Sequence, residues 1–201
     1  MLTIHADSRG RALAVEGAWI ADARPLEELL AARPGARVRQ WPGILTPGLI
    51  NLHGNELLEE AYHPDPREAQ ELGTVPLTGA DLAALAMDDG RWGASARRGV
   101  QRMLAHGTVA AACEPLANRA VRDAVQRSGL GVVGRLGRPG GTPALDPYDA
   151  GVPVEFAAAR EQGSAARFAV FDVQDEAELA ERGAGTCVAT VVDGRLVYRR
   201  R

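Results

Sequence analysis

The sequence predicts an α/β protein whose two ends are rich in strand and whose middle alternates strand with helix. Three observations carry that expectation. Between Arg91 and Arg135, two amphipathic stretches of helical length separate short apolar runs, the pattern of βαβ units in a parallel sheet. Nearer the start, apolar runs surround Glu16-Gly17, a tight-turn pair. Near the finish, Asp193-Gly194 flanked by alternating residues is the strongest hairpin signal in the chain.

Each element follows in order. LTIHA and ALAVEGAWIADA read as strands, PLEELLAAR as a short helix closed by Pro34-Gly35, and ARVRQW as a further strand ahead of Pro42-Gly43. Residues 44–52 form a strand interrupted by Pro47-Gly48. Residues 56–79 are a polar, proline-containing excursion, expected to be a functional or a disordered loop. Thr78-Gly79-Ala80-Asp81 is placed to cap a short helix, ADLAALAMDD. A stronger helix runs through RWGASARRGVQRMLAH, with Val100, Met103 and Leu104 on one face and Gly107 as its stop. Thr108 to Cys113 is a strand. LANRAVRDAVQRSG is again amphipathic, and LGVVGRLG is a third strand. RPGGTPALDPYDAGVP is a turn-rich linker and EFAAAREQG is helix-compatible; RFAVFDV, a short helix DEAELAERG, and TCVATVVDGRLVYRR complete the chain.

At 201 residues the chain can bury a real core, and 46% hydrophobic with 24% charged residues is ordinary for a globular protein. A net charge of -3 gives no basic footprint for nucleic acid. The chain has no lysine, which excludes Schiff-base lysine chemistry, a carbamylated-lysine metal bridge and a Walker lysine. GRLGRPGGT is therefore read as linker, not as a phosphate loop. Cys113 and Cys187 stand far apart in small apolar runs and are expected to be reduced and buried. The first residues show no signal pattern, and no apolar stretch approaches the roughly 18 residues of a membrane span, so a cytoplasmic protein without membrane contact is expected.

Two segments point to a family. PGLINLHGN, Pro47 to Asn55, delivers a histidine to the end of an apolar strand, and RFAVFDVQD with VATVVDGRLVYRR closes the chain. With RMLAHGTVAA between them, this order resembles the amidohydrolase superfamily of metal-dependent hydrolases, in particular its imidazolonepropionase, aminodeoxyfutalosine deaminase and cytosine deaminase branch. The resemblance implies a composite β-sandwich from both chain ends, residues 1–46 and 164–201. It also implies a truncated parallel βαβαβ remnant of a TIM-like barrel over 47–140, with 141–163 as linker. Departures accompany the match. Family members are about twice as long, only three barrel strands can be placed, and Asn55 stands where the second histidine of H-x-H belongs. The strands that would carry two later histidines and the metal-bound aspartate have no counterpart here.

A catalytic zinc takes three imidazole, thiolate or carboxylate ligands and keeps a position open. Of the set that the resemblance implies, His53 alone is present, and an asparagine carbonyl suits harder cations than zinc. HGN thus reads as a broken metal site; no cofactor is expected, and zinc enters only if His53 belongs to a rebuilt site. Among the other histidines, His5 is expected to be structural or solvent-facing, and His106 sits at a helix end where it meets the dipole. His63 lies among Glu56, Glu59, Glu60 and Asp65, either a metal-capable cluster or a solvated charged loop.

Function in parallel α/β folds collects at the C-terminal strand ends. There His53 and Glu114 are the candidate proton-transfer pair, and Asn55, Glu56, Arg135 and Arg138 the candidate ligand-binding set for a small polar or anionic molecule. The blander alternatives are that Glu114 caps the next helix and Arg135 is a surface charge. Three strands cannot close a barrel, so a homodimer covering the open sheet is expected. Three functions remain open. The first is a non-catalytic amidohydrolase-like protein binding a small molecule or a partner. The second is an active hydrolase of non-peptide C–N bonds, a deaminase or cyclic amidase with a rearranged or intersubunit site. The third is an accessory subunit of a larger enzyme.

Overall fold

A computed structural model describes residues 2–158 and 161–200. Strands β1 (Leu2–Ala6), β2 (Arg11–Glu16), β3 (Trp19–Pro25) and β4 (Arg37–Gln40) form a first sheet in the order β3-β2-β1-β4. Helix α1 (Leu26–Ala32) connects its last two strands in sequence. The next apolar run then divides at Pro47-Gly48 into β5 (Ile44–Pro47) and β6 (Leu49–Asn51), which enter different sheets. Gly48 permits the crossing, because a Cβ there would lie 2.3 Å from a methyl of Val109.

The middle continues with α2 (Gly54–Leu58), β7 (Ala61–Tyr62), α3 (Ala69–Leu72), β8 (Leu77–Thr78) and α4 (Gly79–Ala83). The expected βαβαβ unit, opened by β6, is completed by α5 (Asp89–Ala105), β9 (Thr108–Cys113), α6 (Arg119–Ser128) and β10 (Gly131–Gly134). Strands β6, β9 and β10 are parallel, and β11 (Glu155–Phe156) adds antiparallel to β6, giving the order β10-β9-β6-β11. Val100, Met103 and Leu104 of α5 and Val121 and Val125 of α6 pack on Val109 and Ala111 of the sheet. The chain ends with β12 (Phe168–Phe171), α7 (Glu176–Arg182), β13 (Cys187–Val192) and β14 (Arg195–Arg199). These strands and β5 form a third sheet, β14-β13-β12-β5, with Asp193 and Gly194 both at positive φ in the final hairpin. Leu13, Val15 and Ile20 of the first sheet meet Phe168, Val170 and Val191 of the third in one core. The architecture is mixed α/β with several small sheets, and none of the sheets among the described residues closes into a barrel.

Three expectations are corrected. The excursion over 56–79 is not a polar loop throughout: Glu56, Leu57, Leu58, Ala61, Tyr62 and His63 are buried. Two of its carboxylates pair with α5, Glu68 with Arg91 and Asp65 with Arg98, while both arginines lie against the Tyr62 ring. The helix expected over 80–89 ends at Ala83, Thr78 makes no side-chain cap bond, and Asp88 caps α5 through the Arg91 amide. Within EFAAAREQG, residues 155 and 156 are strand, and Ala159 and Arg160 lie outside the described residues. No described helix is long and apolar enough to cross a membrane.

Candidate functional site

The site forms where β6, β9 and β10 end. Asn51 stops β6: its Oδ1 accepts from the His53 amide at 3.0 Å, and its Nδ2 donates to the Ala144 carbonyl at 2.8 Å. His53 occupies the N-cap position of α2 and is 2% exposed. Its Nε2 lies 3.1 Å from the Gly140 carbonyl, which can only accept, so Nε2 carries the proton. The glycine of HGN is required by packing, since a Cβ at Gly54 would lie 2.3 Å from the Cys113 sulfur and 2.7 Å from the Ala112 carbonyl oxygen.

Asn55 is a four-way connector. Its Oδ1 accepts from the Glu114 amide at 2.8 Å and from Arg135 at 3.2 Å, and its Nδ2 donates to Glu59 at 3.2 Å and to the Glu114 carbonyl at 3.3 Å. Arg135 leaves the end of β10 and crosses to the β6–α2 junction. It donates to the Leu52 carbonyl at 3.0 Å and to both oxygens of Glu56 at 2.7 and 2.9 Å. This ion pair is buried, with side chains 10% and 5% exposed, so Arg135 is not a surface charge. Burial works to raise the Glu56 carboxyl, but the Arg135 guanidinium, the Glu56 amide and His53 outweigh it and hold it below the usual carboxylate range.

The two candidate proton-transfer groups do not hydrogen-bond each other. The Glu114 side chain is exposed and accepts from the Gly137 amide at 2.9 Å, while His53 turns to Gly140. Nor does Glu114 cap the next helix; Asn118 does so, through the Ala120 and Val121 amides. Arg138 is exposed and paired with Glu60 at 2.5 Å. Cys113, at the end of β9, is no ready nucleophile, because burial pushes its thiol up to about 11.

His63 is not in a solvated loop. It is fully buried, with Nε2 2.7 Å from the Leu57 carbonyl, and burial lowers its pKa to about 4. His5 is buried against Trp41, whose indole N–H donates to Nδ1 at 3.2 Å. His106 ends α5 and bonds the Arg102 carbonyl at 2.8 Å, as a helix-terminal histidine should.

These donors do not fit the metal that the family resemblance implies. His53 spends its Nε2 on Gly140, the Asn55 oxygen already accepts two donors, and a guanidinium stands beside it. Among the described residues no three His, Cys, Asp or Glu side chains gather as a metal set. Beside the network lies an open cleft of about 880 Å³, lined by Leu57, Glu60, Leu82, Trp92, Arg138 and Leu145 among others. The network also contains residues that the sequence reading missed. Asn51 carried a legible signal, an Asx turn two residues ahead of His53; Glu59 was read only as one of the carboxylates around His63, whereas it accepts from Asn55 and holds the Asn118 amide at 2.7 Å.

No family model matches the chain, and no curated protein does. Solved structures with a similar backbone are those of ochratoxinase from A. niger, an adenosine deaminase from Xanthomonas campestris and N-isopropylammelide isopropylaminohydrolase from Burkholderia multivorans. The ochratoxinase match has 16% identity over 66% of this chain and 31% of that one, with a TM-score of 0.45. The adenosine deaminase match has 16% identity over 66% of this chain and 32% of the other, TM-score 0.44. The isopropylaminohydrolase match has 19% identity over 70% and 40%, TM-score 0.45. The chain spans between about a third and two fifths of the length of these structures.

Proposed function

We propose that this chain is an amidohydrolase-like protein whose strand-end site has exchanged metal chemistry for a fixed hydrogen-bond network, and that it binds a small polar or anionic molecule without turning it over. In this reading residues 1–46 and 164–201 are the composite sandwich, 47–140 a shortened barrel segment and 141–163 the linker. The observation that carries it is Arg135, whose guanidinium fills the space between Asn55 and Glu56 beside His53. A hydrolytic water needs a metal or a free base there; both ring and carboxylate are already engaged. The adjoining cleft remains open, with an apolar wall at Leu57, Leu82 and Trp92 and the exposed Arg138–Glu60 ion pair on its rim, where a polar or anionic group would compete with Glu60 for the guanidinium.

The test is metal content and turnover in protein purified, without a metal-binding tag, from cells supplemented with zinc, iron and manganese. The expected result is substoichiometric metal and no hydrolysis of cyclic amides or amino-heterocycles. Near-stoichiometric metal that disappears in His53→Ala, together with turnover, would establish the second reading, a hydrolase of non-peptide C–N bonds; the buried imidazole of His53 is the observation favouring it. A protein that co-purifies at fixed stoichiometry would establish an accessory subunit. The open edge of β10, with Val132 and Val133 exposed, supports the homodimer.

A further inference from the structure

Four oxygens converge on the Arg135 guanidinium: the Leu52 carbonyl at 3.0 Å, Asn55 Oδ1 at 3.2 Å, and the two Glu56 carboxylate oxygens at 2.7 and 2.9 Å. One carboxylate, one amide carbonyl and one backbone carbonyl are the donor types that hold Ca²⁺. They are not the imidazole and thiolate set of zinc. The guanidinium does not use this cradle fully. Its side chain is nine-tenths buried, yet its Nε–H finds no acceptor among the described residues, because the oxygens all lie toward the two terminal nitrogens. The cradle matches a compact cation better than a planar fork.

We infer that Arg135 is a built-in cation occupying an oxygen-lined site at the β6–α2 junction, and that removing its side chain turns the junction into a binding site for a hard divalent ion such as Ca²⁺ or Mn²⁺. The site differs in donor set from the histidine centre that the family resemblance implies. The inference is also independent of the proposed function, since a ligand in the cleft is compatible with either outcome. Loss of the guanidinium would leave Glu56, 5% exposed, without its cation, and a divalent ion bound by the same oxygens would restore the balance.

The experiment compares wild type, Arg135→Ala, and Arg135→Gln, which keeps much of the volume while removing the charge. Each full-length protein is titrated with calcium chloride, then manganese chloride, following thermal midpoint and calorimetric heat, with EDTA reversal. Wild type is expected to show no response to either ion or to EDTA. Both variants are expected to melt lower and to regain several degrees with millimolar ion at one site per chain. Adding Glu56→Gln should abolish that gain. A folded Arg135→Gln protein with no ion response would overturn the inference, as would ion binding by wild type that Glu56→Gln removes. Should Arg135→Ala not fold unaided, its recovery with calcium and not with sodium supports the inference, and the Arg135→Gln titration still decides it.

Discussion

Asn55 clasps the backbone of Glu114 from both sides, its Oδ1 accepting from the Glu114 N–H at 2.8 Å and its Nδ2 donating to the Glu114 carbonyl at 3.3 Å. The side-chain amide thus pairs with a peptide group as a strand neighbour would, and ties the start of α2 to the end of β9. An imidazole has one donor and one acceptor on opposite edges of a rigid ring and cannot make this pair. Asn55 is therefore suited to a task that a histidine at this position could not perform.

That geometry predicts a stability cost at Asn55. Asn55→Ala removes both Glu114 bonds and one acceptor of Arg135, and should destabilise by about 1–3 kcal/mol in urea denaturation. Asn55→His should be destabilised similarly and gain no zinc, because Arg135 still occupies the neighbouring space. Zinc bound at one ion per chain by Asn55→His would show instead that the asparagine alone excludes the metal.

Two glycines should resist even alanine. A Cβ at Gly54 meets the Cys113 sulfur and the Ala112 carbonyl oxygen, and one at Gly99, inside α5, lies 2.7 Å from His63 Nε2 and 3.1 Å from a Leu58 methyl. Alanine normally gains about 1 kcal/mol over glycine in a helix, but overpacking costs about 1–3 kcal/mol. Gly99→Ala should therefore lower the urea midpoint. A higher midpoint would mean that His63 can move aside.

The sequence displayed the strands and helices because their patterns are local: turn pairs at Glu16-Gly17 and Asp193-Gly194, and the apolar faces of α5 and α6. The His53–Asn55 junction was visible as a departure from a motif. Its replacement was not, because Arg135 reaches Glu56 across 79 positions of sequence and Glu59 reaches Asn118 across 59. Such contacts leave no periodic trace. The segment around His63 misled for a related reason: His63 is buried although charged residues surround it, two of those charges pair with arginines of α5, and only the fold reveals the partners.

The open edge of the parallel sheet yields a prediction about assembly. The Arg135 amide bonds the Cys113 carbonyl, so alternate residues Gly131 and Val133 face β9, while Val132 and Gly134 turn their N–H and C=O groups outward. A twofold axis through Val133 would set Val132 opposite Gly134 of a second copy, twice. The expected species in size-exclusion chromatography with light scattering is a dimer. Val132→Pro deletes an N–H that β9 does not use, and should give a folded monomer. A monomeric wild type would refute the arrangement.

The buried histidines set how stability depends on pH. His5 and His63 are both lowered from 6.5 to about 4, His5 by burial and then Arg39, His63 by burial with Arg98 and Arg102 adding and the Leu57 carbonyl opposing. With folded values below unfolded ones, the unfolded chain takes up protons first as pH falls. The stability from keeping these rings neutral is whole above pH 6.5 and drains between 6.5 and about 4. Each ring contributes a slope of about 1.4 kcal/mol per pH unit in that window. Carboxylates held low, such as Glu56 and Glu176, lose their contribution only below about pH 4.5, so the two effects separate on the pH axis. Urea midpoints should accordingly hold between pH 8 and 7 and fall steadily from pH 6 to 5. His63→Gln, which keeps a donor for Leu57 and cannot titrate, should remove about half of that slope. A profile flat from pH 6.5 to 4.5 would mean that both rings gain solvent or a counter-charge as they protonate.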